Sequence, residues 1–144
     1  MTREEFLVYM GHLNNLEHEE MNDYITDDIT LEFYDTPTME KQPHRVLRGR
    51  KDYIDHFIEN HVNCKEILEL GVFLSDDKNL LAEIYVEFHA VQETTLNTVK
   101  MSRGQSYCAT HFLLYDIAPD GRFSRVRIAH HKAHDTPPKH HPVI

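Results

Sequence analysis

Only two cysteines, Cys64 and Cys108, occur in 144 residues, which leaves no basis for a disulfide framework. No stretch is long and apolar enough to span a bilayer, and the first residues do not resemble a signal peptide. The expectation is a cytoplasmic protein with free thiols. No basic run offsets the formal net charge of −9, the balance of 15 Lys and Arg against 24 Asp and Glu. That argues against nucleic acid and against anionic membrane surfaces as partners. There is no GxGxxG or phosphate loop to hold a nucleotide, and no HExxH or CxxC spacing to hold zinc, so neither metal nor cofactor is expected. No internal repeat and no low-complexity linker divides the chain. It is long enough for one domain with a real core, assigned to residues 1–134 with a tail at 135–144. What remains is ordinary for a globular protein, 27% charged and 40% hydrophobic, except for 12 histidines. Several of these lie after Lys132, where Pro137, Pro138 and Pro142 exclude a regular element.

The most informative stretch is a long hairpin from Gly104 to His131, folded at Ala118-Pro119-Asp120-Gly121. Proline fixes φ at the second turn position and glycine tolerates positive φ at the last. Pairing Ile117 with Arg122 predicts that Leu113 faces Val126, His111 faces Ile128 and Ala109 faces His130. Alternation then puts Tyr107, Ala109, His111, Leu113 and Tyr115 on one face with Val126, Ile128 and His130. Arg125, Arg127 and His131 fall on the other, beside Phe112 and Leu114. Two imidazoles on a mostly apolar face, diagonal neighbours within about 7 Å, suggest the wall of a pocket.

Earlier in the chain, Thr2 and Glu5 form a capping box. Phe6, Tyr9, Met10, Leu13 and Leu16 follow at helical spacing as one buried stripe. A buried Tyr9 hydroxyl needs a partner inside the protein or in a cavity. A short helix with Met21, Tyr24 and Ile25 inward is expected to break at Asp27-Asp28, and a strand to run from Ile29 to Asp35 with Ile29, Leu31 and Phe33 inward. Residues 36–43 read as a loop, and His44 to Arg48 as a short strand pairing back. A third helix after Gly49 carries Tyr53, Ile54, Phe57, Ile58 and His61 on one side and a solvated His56 on the other. Two long strands turn at Asp76-Asp77-Lys78-Asn79. On the second, Ile84, Val86, Phe88 and Ala90 are assigned inward, since the opposite choice would bury Glu83 and Glu87. Residues 93–103 form a polar hairpin end. Helices first and a long meander last predict an α+β domain, an antiparallel sheet covered on one face by about three helices.

That order of elements, with the strand YITDDITLEFYD and the Gly49-led helix, resembles the cone-shaped nuclear-transport-factor-like fold. Within it the chain resembles the SnoaL-like polyketide cyclases and isomerases, including small fungal enzymes of xanthone and meroterpenoid pathways. The resemblance implies a curved antiparallel sheet around a substrate chamber. It implies that Tyr9 matches the helix-one tyrosine that donates to an oxyanion in steroid-isomerase relatives, and that His111 matches their second donor. Their carboxylate base corresponds to Phe33, a departure; Asp35 is close but its direction is open, and His130, at the end of the last strand, is the substitute base. The carboxylate–arginine–carboxylate set of epoxide-hydrolase relatives is not evident. Scytalone-dehydratase-like members use histidines in the same cone, which keeps dehydration open.

Proton transfer between carbon and oxygen of a polyketide needs a base and a donor for the enolate oxygen. Imidazole, with a free pKa of about 6.5, suits either part. The candidate catalytic residues are His111, His130, Tyr9 and Tyr107. Phe33, Phe57, Val86, Phe88 and Leu113 are expected to line the chamber, with Arg48 (and Arg45) reaching an anionic group at its mouth. The function expected is a cofactor-independent isomerase or cyclase acting on an aromatic or polycyclic small molecule. A dehydratase and a non-catalytic binding module are the alternatives. The outer sheet face, with Tyr85, His89, Cys108, Thr110, Phe112 and Leu114, is apolar enough to predict a sheet-to-sheet homodimer.

Overall fold

The computed structural model describes residues 1–34, 43, 45–96 and 99–144. Helix α1 (Arg3–Asn14) starts at the expected capping box, the Glu5 N–H donating to the Thr2 hydroxyl and the Thr2 N–H to the Glu5 carboxylate. Phe6, Tyr9, Met10 and Leu13 form its buried stripe. Leu16 does not continue it: the helix ends at Asn14, and Leu16 turns out at φ 61 with 48% of its surface exposed. A 3₁₀ helix (His18–Tyr24) leads into β1 (Ile25–Tyr34). The break expected at Asp27-Asp28 is absent. Both residues sit exposed inside β1, where the pairing slips between Ile25 and Thr30, so their carboxylates reach water without ending the strand. Asp35, His44 and residues 36–42 lie outside the described residues.

Strand β2 (Arg45–Arg48) pairs back onto β1, and Gly49, at φ 89, turns the chain into α2 (Arg50–Asn63). Then come β3 (Cys64–Ser75), β4 (Asn79–Ala90), β5 (Thr94–Leu96), β6 (Val99–Met101), β7 (Ser106–Ile117) and β8 (Phe123–His134). Six strands make one sheet in the order β2-β1-β8-β7-β4-β3, and β5 and β6 form a small hairpin of their own. The β1–β8 pair is parallel, a departure from the wholly antiparallel expectation, because the chain between them returns β8 in the same direction as β1. The architecture is α+β, with a core in which Phe6, Tyr9 and Leu13 of α1 and Tyr53 and Phe57 of α2 pack against Leu31, Ile84, Tyr115 and Val126 of the sheet.

The long hairpin carries the predicted faces but not the predicted register. Gly121 has φ 87, Ile117 pairs with Phe123 and not Arg122, and a slip at Asp116/Ile117 brings the difference from the expected pairing to two residues. Tyr115 therefore faces Val126, Leu113 faces Ile128, and His111 directly faces His130. The slip preserves the alternation, so the two imidazoles still share a face, with ring centroids 4.8 Å apart.

On β4 the apolar set is inward as assigned, yet Glu87 and His89 on the outer side are buried too. Their cover is the C-terminal tail, which has no regular structure and lies on the outer face of the sheet, not over the chamber. The Lys139 ammonium bonds Glu69 at 2.9 Å and stands 4.1 Å over the Tyr85 ring, and the His140 ring bonds Glu69 at 2.6 Å. Of the outer residues expected to face another molecule, Tyr85 thus faces the chain's own tail, and His89 and Cys108 are buried.

Candidate functional site

Between the helices and the inner face of the sheet lies a small apolar cavity of ≈ 60 Å³, open on one side. The spacing of α1 points Tyr9 into it, and the i, i+4 pair on α2 adds Tyr53 and Phe57. The Tyr9 and Tyr53 hydroxyls are 2.6 Å apart. Two hydroxyls carry two protons, and the bond between them uses one, so one O–H remains to donate to a guest. Burial, with the neighbouring Tyr53 and Tyr115 phenols, raises Tyr9 well above the usual tyrosine pKa, and burial also raises Tyr53 and Tyr115. All three stay protonated near neutral pH.

Two further polar groups line the same cavity. His111, between Ile84 on β4 and His130 on β8, lines the cavity, and its buried Nε2 has no hydrogen-bond partner among the described residues. Burial, helped by the adjacent His130, lowers its pKa to about 4, so the ring is neutral at pH 7. Glu66 enters from β3, 8% exposed, and lines the same cavity. His61, in the last turn of α2, places Nε2 3.4 Å from the Glu66 Oε2, while its Nδ1 lies 2.7 Å from Nε2 of His18. Among the described residues no set of three or more His, Cys, Asp or Glu is arranged to hold a metal ion.

Of the residues expected at the site, Tyr9, His111, Phe57, Val86 and Leu113 line this cavity. His130 and Tyr107 are outside its lining, hydrogen-bonded to each other at 2.9 Å, with His130 against His111. Phe88 stacks on Tyr107, with centroids 6.2 Å apart. Phe33 packs on His56, centroids 5.1 Å apart, instead of on the lining. His56 is accordingly not a solvated surface residue. Burial first, then Arg45 and His61, bring its pKa down to about 4. Arg48 does not reach the chamber. It pairs with Thr30, whose side chain has the opposite parity to the inward Leu31, and it is exposed. Arg45 takes the inward parity opposite Phe33, its guanidinium 5.8 Å from that ring.

Tyr53, Glu66, His61 and His18 are additions to the expected set. The signals for two of them were in the pattern. Tyr53 shares the inward stripe of α2, and a buried tyrosine needs a hydroxyl partner just as Tyr9 does. Glu66 has the parity of Cys64, Leu68 and Leu70 on β3, so alternation alone turns it inward. The pairing of His61 with His18 depends on how α2 meets the 3₁₀ helix, which spacing along the chain does not encode.

No family model matches the chain, and no curated protein matches it. Solved structures do. An NTF2-like protein from Anabaena variabilis superposes with a TM-score of 0.63 at 15% identity, over 88% of this chain and 84% of its own. The chain has the NTF2-like fold. A SnoaL-like polyketide cyclase from Agrobacterium tumefaciens is similar at a TM-score of 0.66 and 16% identity, covering 85% of each chain. The epoxide hydrolase/cyclase-like enzyme SalBIII, of pyran ring formation in the polyether salinomycin, is similar at a TM-score of 0.66 and 14% identity over 90% of this chain and 89% of that one. At these identities the likeness is one of fold, and the NTF2-like scaffold is one on which cyclase-type enzymes are built. Among the described residues no helix is long and apolar enough to cross a membrane.

Proposed function

We propose that this NTF2-like protein is a cofactor-independent isomerase or cyclase acting on a polyketide-derived aromatic or polycyclic intermediate of secondary metabolism by proton transfer. One observation carries the reading: a single apolar cavity brings together a carboxylate, a phenol pair with a proton to spare and a neutral imidazole with an unpartnered buried nitrogen. Glu66 takes a proton from carbon next to a carbonyl, and the C–H electron pair becomes an enolate. The free O–H of the Tyr9–Tyr53 pair, or Nε2–H of His111, donates to the enolate oxygen in a dry setting where such a bond is strongest. The proton then returns to another carbon, an isomerisation, or the enolate carbon attacks a second carbonyl, a ring closure. His130 and Tyr107 act one step back, holding His111. The walls, among them Leu13, Phe57, Ile84, Val86 and Leu113, are apolar and suit an apolar ring system, which must open the small cavity further to enter.

Dehydration in the same pocket is the second reading: His111, held neutral to about pH 4, would not be its acid at pH 7, and the proton for a leaving hydroxyl would come from protonated Glu66 or the Tyr9–Tyr53 pair. The test is deuterium uptake from deuterium oxide at the α-carbon of α- and β-tetralone. The wild type is expected to accelerate uptake over buffer. Glu66→Gln should lose about 10²–10⁴-fold of the acceleration, and Tyr9→Phe or His111→Ala a smaller share. Binding of both ketones without any acceleration would overturn the enzymatic reading and favour a binding module.

A further inference from the structure

We infer that His61 and His18 carry protons between Glu66 and bulk water, so that a proton taken from substrate exchanges with solvent during turnover. The inference rests on the reading of Glu66 as the base. Its geometry is a line of three groups from three elements. Glu66 on β3 lines the cavity, the His61 side chain on α2 is 3% exposed and turns Nε2 to the Glu66 carboxylate, and His18 on the 3₁₀ helix is half-buried and accessible from outside. The two rings are tilted by 32° with centroids 4.9 Å apart, and Nδ1 of His61 meets Nε2 of His18 at 2.7 Å.

A neutral imidazole donates at one nitrogen and accepts at the other, so it can pass a proton on without holding a net charge. The steps balance. Protonated Glu66 gives its proton to the bare Nε2 of His61, and the proton on Nδ1 of His61 leaves to Nε2 of His18. The proton on the far nitrogen of His18 then passes to water. The buried Nε2 of His61 has no hydrogen-bond partner among the described residues, which fits a nitrogen poised between two states. Substrate filling the apolar cavity excludes water from Glu66, and a path through the protein behind it replaces that water.

The groups facing this line from neighbouring elements leave the carboxylate as the anion His61 sees. Tyr9 on α1 is a neutral phenol, and Cys64 at the end of α2 is a thiol pushed up to about 12 by burial and by Glu66. His56 on α2, beside Arg45 of β2, is neutral above about pH 4. Burial, then the adjacent His61, lowers the pKa of His18, which keeps the outer ring ready to accept.

The experiment is β-tetralone deuterium uptake in dilute buffer free of imidazole. His61→Gln keeps a hydrogen-bonding amide but cannot take a proton at one end and release it at the other. It should slow uptake by about tenfold or more, with binding of the ketone unchanged, and added imidazole should restore the rate. His18→Gln, at the more accessible end, gives the same pattern and guards against a folding defect at His61. An unchanged rate in dilute buffer, or a loss that imidazole does not repair, would overturn the relay. If the wild type itself fails to accelerate uptake, the enzymatic reading falls, and NMR of the ring nitrogens decides the relay separately. Glu66→Gln should move the ring-nitrogen resonances of His61 and, through the Nδ1–Nε2 contact, those of His18. Resonances of both rings left unmoved by Glu66→Gln would sink it.

Discussion

Glu87 is the residue whose removal tests the arrangement of this chain most directly. It is fully buried, at 0% exposure, and its carboxylate accepts four hydrogen bonds. Two come from the sheet, from the Tyr85 hydroxyl at 2.7 Å and the His89 Nε2 at 2.8 Å. Two come from the tail, from the backbone N–H groups of Lys139 at 2.6 Å and His140 at 3.2 Å. Burial pushes the carboxyl pKa upward, and these bonds more than reverse it, so the folded value lies below the ordinary one of 4.5. Glu87→Ala leaves four donors without an acceptor, each worth about 1–3 kcal/mol if it stays dry. The tail can lift and let water in, which caps the loss at about 2–3 kcal/mol. For a domain of this size that is a fall in Tm of about 5–10 °C. Deleting residues 135–144 removes the two tail donors and opens Glu87 to water, so Glu87→Ala in the shortened chain should cost under about 1 kcal/mol. The four proteins form a double-mutant cycle read by urea denaturation, with an expected coupling of about 1.5–2 kcal/mol. Additivity within about 0.5 kcal/mol would refute the claim that Glu87 works by clasping the tail. The same carboxylate sets a pH limit. Its stabilisation is present above the ordinary glutamate pKa of 4.5 and fades as pH falls below that through the lowered folded value.

Two further outcomes are expected. His111 should titrate near pH 4 by NMR, and because the unfolded ring binds a proton near about 6.5, its share of stability is complete above that value and fades as pH falls towards 4; a midpoint at or above 6.5 would contradict the buried placement. The expected sheet-to-sheet homodimer narrows to the part of the outer face beyond the tail's clasp, where Phe112, Leu114 and His131 stand, and light scattering of the eluted protein should give twice the chain mass, a monomer mass removing it.

Alternation was the most legible signal. It placed His111 and His130 on one face of the long hairpin although the assumed register was wrong, because two-residue periodicity survives a slip that bulges compensate. Slips were not legible, since the turn sequence fixes only where the hairpin folds. The same alternation, read on β3, points Glu66 inward. What obscured it was a rule applied one strand away, that an orientation burying glutamates is to be rejected. That rule placed Ile84 and Val86 correctly, yet it is no law: Glu87 is buried on the outer side, where a tail without regular structure supplies its donors. Likewise His56, read as solvated from its place on the polar side of a helix, is packed on Phe33 because β1 and β2 reach that side.

These cases divide the carboxylates and imidazoles by what satisfies them. Glu87 has donors on every side, and Glu32 is held by Arg125 and the Tyr34 hydroxyl, with its pKa lowered by Arg125 first. Both are occupied, and a satisfied buried charge stabilises an arrangement without being free for chemistry. Glu66 differs. Its neighbour is the His61 ring, with Nε2 3.4 Å from Oε2 and no hydrogen bond between them, and it lines an apolar cavity. His111 differs in the same way from His130, which bonds Tyr107. Incomplete satisfaction in a dry cavity carries a free-energy penalty that a fold seeking only stability would remove with apolar side chains. An unpartnered imidazole nitrogen in the same cavity as a carboxylate and a phenol pair with a proton to spare is therefore better explained by a guest that completes it than by packing.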